Sequence, residues 1–198
     1  MMNKPNCTLI LFVLLSMVLG CKKDEGPTGP PATPSSVIMP LKVGNQWTFS
    51  ATFYDSNGVA LNGSGLTTIS IIRDTTITGE KWYLLGVFGI ASGSLLANRS
   101  DGLWEIDPGS SSPYLIFKFP ASAGDTYSTS SLGGKIVVGS ISSSITVPQG
   151  AYSCYEYKLY LQPSNQLNSV VYFAPNAGII KQDSYNTLLS GRSYVSGR

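Results

Sequence analysis

The sequence predicts an all-β domain: a curved antiparallel sheet, closed as a half-barrel or barrel, of about 9–11 strands. Three observations carry that expectation. From Val37 onward, apolar and polar residues alternate in segment after segment. Turn signals built from Gly, Pro, Asn and Asp recur at intervals of about 8–12 residues. No segment sustains the apolar period of about 3.6 residues that would mark a helix.

The elements follow in order. In Gln46–Tyr54, Trp47, Phe49, Ala51 and Phe53 fall on one side, with Thr48, Ser50, Thr52 and Tyr54 on the other. That is the alternation of a half-buried strand. Asp55-Ser56-Asn57-Gly58 is a turn, closing a hairpin with a Thr- and Ile-rich strand from Leu66 to Arg73. The strand from Glu80 to Ile90 has Trp82, Leu84, Gly86 and Phe88 in phase. Gly86 and Gly89 predict a bulge or sharp bend in it. Further strands are expected at Ser94–Asn98, Gly102–Ile106, Tyr114–Phe119, Lys135–Val147, Ala151–Leu161, Ser169–Ala174 and Gly178–Tyr185, with a last one from Leu188 to Val195. Turns separate them at Asp107-Pro108-Gly109, Pro120 to Gly124, Gly133-Gly134, Pro148-Gln149-Gly150, Pro163 to Asn165 and Pro175 to Gly178.

Composition narrows the function classes. The chain has 198 residues, 42% apolar and only 12% charged, against about a quarter charged in an average domain. Ser, Thr, Asn, Gly and Tyr make up the deficit, a mix suited to a wet extracytoplasmic β-protein. Histidine is absent. No Ser-His-Asp triad, Cys-His dyad, His-ligated zinc or imidazole pH switch is therefore available. The net charge is +2, from 13 basic and 11 acidic residues without a basic block, so nucleic acid is not an expected partner. No Gly-rich phosphate loop occurs, because Gly133-Gly134 lies between strands with no helix after it. No cofactor and no metal are expected.

The N-terminus reads as an export signal. Lys4 gives a short positive region, and Thr8 to Gly20 is nearly all apolar. That run is shorter than the roughly 20 residues that span a bilayer and matches the core of a cleavable leader. Val18-Leu19-Gly20-Cys21 resembles the lipobox of bacterial lipoproteins, with Leu19 bulkier than the residue most often found there. The resemblance implies a diacylglycerol thioether on Cys21, which becomes the first residue after cleavage. Each buried methylene contributes about 0.8 kcal/mol, and more than one chain is needed for a stable anchor. An ordinary leader with an incidental Cys, or an uncleaved anchor, is the competing reading.

Cys21-Lys22-Lys23-Asp24-Glu25 is similar to the start of many lipoproteins of the Bacteroidetes and their relatives. There a Lys followed by two acidic residues resembles a surface-export signal. The resemblance implies outer-membrane anchoring through Cys21, handling by lipoprotein export machinery, and an outward-facing domain. Lys22, Lys23, Asp24 and Glu25 are the signal residues, and a plain solvated spacer is the alternative. Gly26 to Ser36 is a Pro/Gly-rich linker, extending at about 3.1 Å per residue where it is polyproline II. The expected organisation is a leader over 1–20, a lipidated Cys and tether over 21–36, and a β domain over 37–198.

Three segments carry a further resemblance. They are Pro40-Leu41-Lys42-Val43-Gly44-Asn45-Gln46-Trp47, Val147 to Tyr155, and Tyr172-Phe173-Ala174-Pro175-Asn176-Ala177-Gly178-Ile179-Ile180-Lys181. Together they resemble secreted bacterial β-domains of unknown function that open with PLxxGNxW and end with a YxAPxxGxxK hairpin. The motifs are structural and imply no chemistry. By fold-level analogy they suggest a curved sheet of the lipoprotein-carrier kind.

Candidate sites are few. Cys154 is the one thiol left in a mature lipidated chain and reads as a small half-buried residue. Asp101, Glu105 and Asp107 lie around Trp104. They read as a solvated turn-strand-turn with Glu105 in the solvent phase, rather than a glycan-cleaving pair or a calcium site. Tyr152, Tyr155, Tyr157, Tyr160 and Tyr172 crowd the late strands, as core filling or as a flat binding surface. The expected function is a non-enzymatic binding or structural lipoprotein whose ligand could be a glycan, a protein or an apolar molecule. The alternatives are a carrier with an unfilled apolar cavity and, behind it, a carboxylate-based glycan hydrolase.

Overall fold

A computed structural model of the chain describes residues 36–55, 57, 59–61, 65–129 and 134–185, and the backbone of 190–195. The first half contributes β1 (Gln46–Tyr54), β2 (Gly65–Ile77), β3 (Glu80–Val87), β4 (Ile90–Arg99), β5 (Gly102–Ile106) and β6 (Tyr114–Lys118). The second half contributes β7 (Thr126–Thr129), β8 (Gly134–Val147), β9 (Gly150–Leu161), β10 (Gln166–Ala174), β11 (Gly178–Tyr185) and β12 (Ser190–Val195). They form one 12-stranded sheet in the order β6-β5-β4-β3-β2-β1-β12-β11-β10-β9-β8-β7.

Every neighbour in that order is antiparallel, and paired strands are consecutive in sequence except at one place. There β1 meets β12, from Phe49↔Val195 to Tyr54↔Ser190. The chain is thus an up-and-down meander whose first and last strands lie side by side in the middle. Its edges, β6 and β7, are consecutive in sequence. The sheet curls until both halves share one core: Phe49, Ile71, Leu96 and Leu103 from the first half pack with Ile136, Val138, Tyr157, Val171 and Phe173 from the second. Burying each of these side chains contributes about 1.5–3 kcal/mol. The all-β curved antiparallel sheet agrees with the sequence expectation.

Among the described residues the strand count is twelve rather than about 9–11, because β7 was not expected. Its Thr-Tyr-Ser-Thr sequence has no apolar alternation, although Tyr127 packs on the main core. The expected strand from Glu80 to Ile90 is in fact the whole of β3, a turn at Phe88-Gly89 and the first residue of β4. Phe88 and Gly89 both take positive φ, +52° and +75°, the geometry of a two-residue hairpin turn. The register does shift between Leu84 and Gly86. The phase of Trp82, Leu84 and Gly86 is real, but Tyr83 and Leu85 are the residues that pack on the main core. Trp82 belongs to a smaller outer cluster with Ala97 and Ile106. Leu188, proposed as the start of the last strand, lies outside the described residues.

Antiparallel alternation sorts the connections to two ends. The turns after β1, β3, β5 and β9 share one end of the strands. The turns after β2, β4, β6, β8 and β10 share the other with residues 36–45, which lead into β1. That entry segment stops this end of the core. Ile38 and Met39 are 1% and 2% exposed, and the Asn98 side chain donates to the Met39 carbonyl at 2.9 Å. Gly44 N–H donates to Ile71 O and Ile71 N–H to Asn45 O, both at 2.9 Å. The core is closed at the entry end.

Candidate functional site

The opposite end is not filled. A cleft of about 260 Å³ lies there between β5, β6 and the starts or ends of β7 to β10. Its wall is mostly Ile116, Ile136, Leu159, Leu161 and Val171, with Phe117 and Tyr157 among its aromatic lining. The aromatics are fixed by one another. Phe117 and Tyr157 meet edge to face with centroids 5.0 Å apart, and Phe173 packs 4.5 Å from Phe117. Tyr157 is fully buried, and its hydroxyl donates to the Lys118 carbonyl at 2.7 Å. Burial pushes its phenol upward, so it stays a neutral donor. A rigid aromatic bed under an aliphatic wall is the usual composition of a site for an apolar ligand.

The cleft sits at the seam where β6 and β7 face each other without a backbone ladder among the described residues. Side-chain hydroxyls take its place. Tyr127 OH accepts the Lys118 N–H at 3.0 Å and donates to Ile116 O at 3.2 Å. Thr129 Oγ1 donates to Leu115 O at 3.1 Å. Sheet edges expose unpaired backbone groups, and here two side chains from β7 satisfy those of β6.

One carboxylate lines the cleft, and the sequence reading placed it wrongly. Glu105 was expected in solvent; it is half-buried and lines the cleft with Tyr114. The reason is its phase. Leu103, two residues earlier, is in the main core, so the side chain at 105 is turned inward as well. Burial raises the Glu105 pKa, with the nearby Ser94 and Tyr114 hydroxyls opposing the rise and the charge of Asp107 adding to it. Tyr114 OH donates to Asp107 at 2.8 Å.

Asp101 does not join them. It lies at the other end of β5, where it accepts the Trp104 indole N–H at 2.8 Å. Glu105 and Asp101 therefore cannot flank one bond. Among the described residues, no group of three or more Cys, Asp or Glu side chains is placed to hold a metal.

The remaining candidates are structural. Cys154 was expected half-buried; it is fully buried in an outer cluster with Val147, Ala174 and Ile180. Burial pushes its thiol up to about 11, which leaves it un-ionised and inert near neutrality. Tyr155 and Tyr157 pack on the main core, and Tyr152 and Tyr172 on the cluster around Cys154. Tyr160 lies under the Lys135 ammonium, 5.0 Å from its centroid. Cys21, Lys22, Lys23, Asp24 and Glu25 lie outside the described residues.

Sequence reasoning missed the Arg99 site altogether. The Arg99 guanidinium lies 4.2 Å from the Trp104 ring centroid and 5.4 Å from that of Trp82. It grips Glu80 through two bonds, Nε–Oε1 at 2.8 Å and Nη2–Oε2 at 2.7 Å. The Arg99 bond holds the Glu80 carboxyl below its usual range.

A second hollow, about 420 Å³, lies at the entry end, where Pro40, Gly44, Asn45, Trp47 and Asn176 line it. Its polar groups already bond one another. Asn45 Nδ2 donates to Pro40 O at 2.9 Å, and Val37 N–H donates to Asn176 Oδ1 at 3.1 Å. It is a join between turns, and the smaller cleft is the better candidate.

No family model matches the chain, and no curated protein does. Among solved structures, the chain is similar to an exported protein with a YmcC-like fold from Bacteroides fragilis NCTC 9343. The identity is 14% and the TM-score 0.39, covering 81% of this chain and 97% of that one. It is also similar to a lipoprotein from Parabacteroides distasonis ATCC 8503, at 11% identity and a TM-score of 0.40, again with 81% and 97% covered. Likeness at this level adds nothing to the strand order and register described above.

Proposed function

We propose that the chain is a non-enzymatic outer-membrane lipoprotein, tethered through acyl chains on Cys21 and displayed at the cell surface, whose β domain binds a small apolar ligand. The observation that carries the binding reading is the unfilled cleft of about 260 Å³ over the Phe117–Tyr157 bed. It satisfies the requirement that separates a carrier from a purely structural sheet, an apolar cavity that side chains leave open. Of the three carboxylates a glycan hydrolase would draw on, Asp101 is set apart from Glu105 by its bond to Trp104 at the far end of β5. The anchor rests on the sequence from Lys4 to Glu25.

The test has two arms. Cells are labelled with a palmitate analogue and shaved with protease, comparing the wild type with Cys21→Ala and with a triple alanine variant at Lys22, Asp24 and Glu25. Label lost in Cys21→Ala, and a wild-type domain that protease removes from intact cells, support the tether and its orientation. Retained label, or full protection of the domain, overturns them. In the second arm, the mature chain without acyl chains is titrated with N-phenyl-1-naphthylamine. Fluorescence should rise and saturate, and Asn168→Trp, at a residue lining the cleft, should abolish the rise. An unchanged titration in that variant overturns the cleft as the binding site.

A further inference from the structure

The cleft is charged on one side only. Among the described residues that line it, Glu105 is the one carboxylate and none is Lys or Arg. The cations nearest in sequence to its walls have other partners. Lys118 pairs with Asp125 at 2.8 Å, Lys158 with Glu156 at 3.0 Å, and Lys135 reaches Asn165 at 2.6 Å. The polar groups that act on Glu105 are the hydroxyls of Ser94 and Tyr114 and the carboxylate of Asp107, so its neighbours include no cation. Tyr114 is also committed to Asp107, and Thr129 to the Leu115 carbonyl. A carboxylate among Ile116, Ile136, Leu159 and Val171 lacks the countercharge that would compensate its lost hydration.

Resting on the cleft as the binding site, we propose that its ligand is an amphiphile with an apolar body and a cationic amine head, the ammonium being received by the Glu105 carboxylate. The body takes the aliphatic wall and aromatic bed. The head supplies the missing countercharge and donates hydrogen bonds to the carboxylate. A carboxylate-headed amphiphile of the same length meets Glu105 with like charge and finds no lining cation. Discrimination therefore comes from repulsion of the wrong head as much as attraction of the right one.

Competitive displacement of N-phenyl-1-naphthylamine tests this, using the mature chain carrying Cys21→Ser so that no acyl chain competes. The competitors are decylamine, decanol and decanoate at neutral pH. Decylamine should displace the probe at a concentration about tenfold or more below that of decanoate, the factor expected of one partly buried charge contact. Glu105→Gln should bring the amine-to-carboxylate ratio close to one and leave decanol within about twofold of the wild type. Decanoate binding as well as decylamine to the wild type, or a ratio unchanged by Glu105→Gln, overturns the head-group inference while the cleft reading stands. Displacement by none of the three overturns the cleft reading itself. The wild-type ratio decides the matter even if the variant folds poorly.

Discussion

The indole Nε1–H of Trp47 donates to the carbonyl oxygen of Ala177 at 2.8 Å, across 130 residues of chain. The bond joins the first strand to the turn between β10 and β11, and brings the Gly44-Asn45-Gln46-Trp47 segment against the Pro175-Asn176-Ala177-Gly178 segment. Asn176 adds a second link, its N–H donating to Val37 O at 2.7 Å. A β-carbon at Gly178 would stand 2.8 Å from Trp47 Nε1 and 3.1 Å from its Cε2. Only glycine lets the turn close over the indole.

Gly178→Ala should therefore cost more than relief of backbone freedom alone. Its φ of +93° is unfavourable for a residue with a β-carbon by about 1 kcal/mol, and displacing a packed indole adds about 1–3 kcal/mol. Gly44→Ala is the control: φ is +91°, and a β-carbon there meets nothing within 4 Å. Urea midpoints should fall for both, and clearly further for Gly178→Ala. Equal losses would mean the Trp47 contact is soft and the clasp contributes little.

The seam predicts a different kind of loss. Tyr127→Phe keeps the ring but strips the hydroxyl that serves Lys118 N–H and Ile116 O. Leaving such backbone groups unsatisfied costs about 1–3 kcal/mol. The effect should be local, with amide exchange at Lys118 accelerating about tenfold or more while amides of β9 and β10 keep their protection. Unchanged exchange at Lys118 would show that water or a backbone shift replaces the hydroxyl.

How far the fold could be read from the chain depends on which interactions are local. The strand Gln46–Tyr54 was legible because its alternation directly reflects a sheet with one buried face. In β3 the same rule identified the strand but not its facing, since Trp82 and Tyr83 are both large and pack on opposite sides. Strand β7 was illegible because Thr126 to Thr129 shows no apolar alternation, and the Tyr127 and Thr129 hydroxyls that hold it bond across the seam to β6, outside the local pattern. The inward turn of Glu105 depends on which side of the sheet curls into the core, a property of all twelve strands together. The residues of the clasp were recognisable as turn formers, but nothing in the local pattern said that Trp47 and Ala177 would meet.

Arg99 offers a test that separates charge from shape. Arg99→Lys keeps the positive charge, but one ammonium cannot replace the two-pronged grip on Glu80 or the flat stacking on Trp104. Both partners are about a third exposed, at 28% and 33%, so solvent weakens the ion pair and the loss should be modest, about 1 kcal/mol. Tryptophan emission should shift as Trp104 loses its cover. A variant as stable as the wild type at every ionic strength, with unaltered emission, would mean that charge alone holds the site.

Glu105 makes the stability of the domain depend on pH in the direction opposite to its paired carboxylates. Burial raises its pKa above the ordinary 4.5. Between that value and the higher native one, the folded protein keeps a proton that the unfolded chain has released. The unfolded state then binds fewer protons, so this residue's contribution falls as pH rises through the window. Below 4.5 both states are protonated and the penalty is absent; above the native value it is fully present and constant. Asp125 runs the other way: Lys118 holds its carboxyl below the usual range, so its stabilisation is lost on acidification. Comparing the wild type with Glu105→Gln cancels that shared trend. The variant should gain stability relative to the wild type as pH rises from 4 to 7, measured as the difference in urea midpoint at each pH. A difference that is flat across this range would place the Glu105 carboxyl in water, and one that grows on acidification would mean that a charged partner already holds it; either removes the uncompensated charge on which selection of an amine head depends.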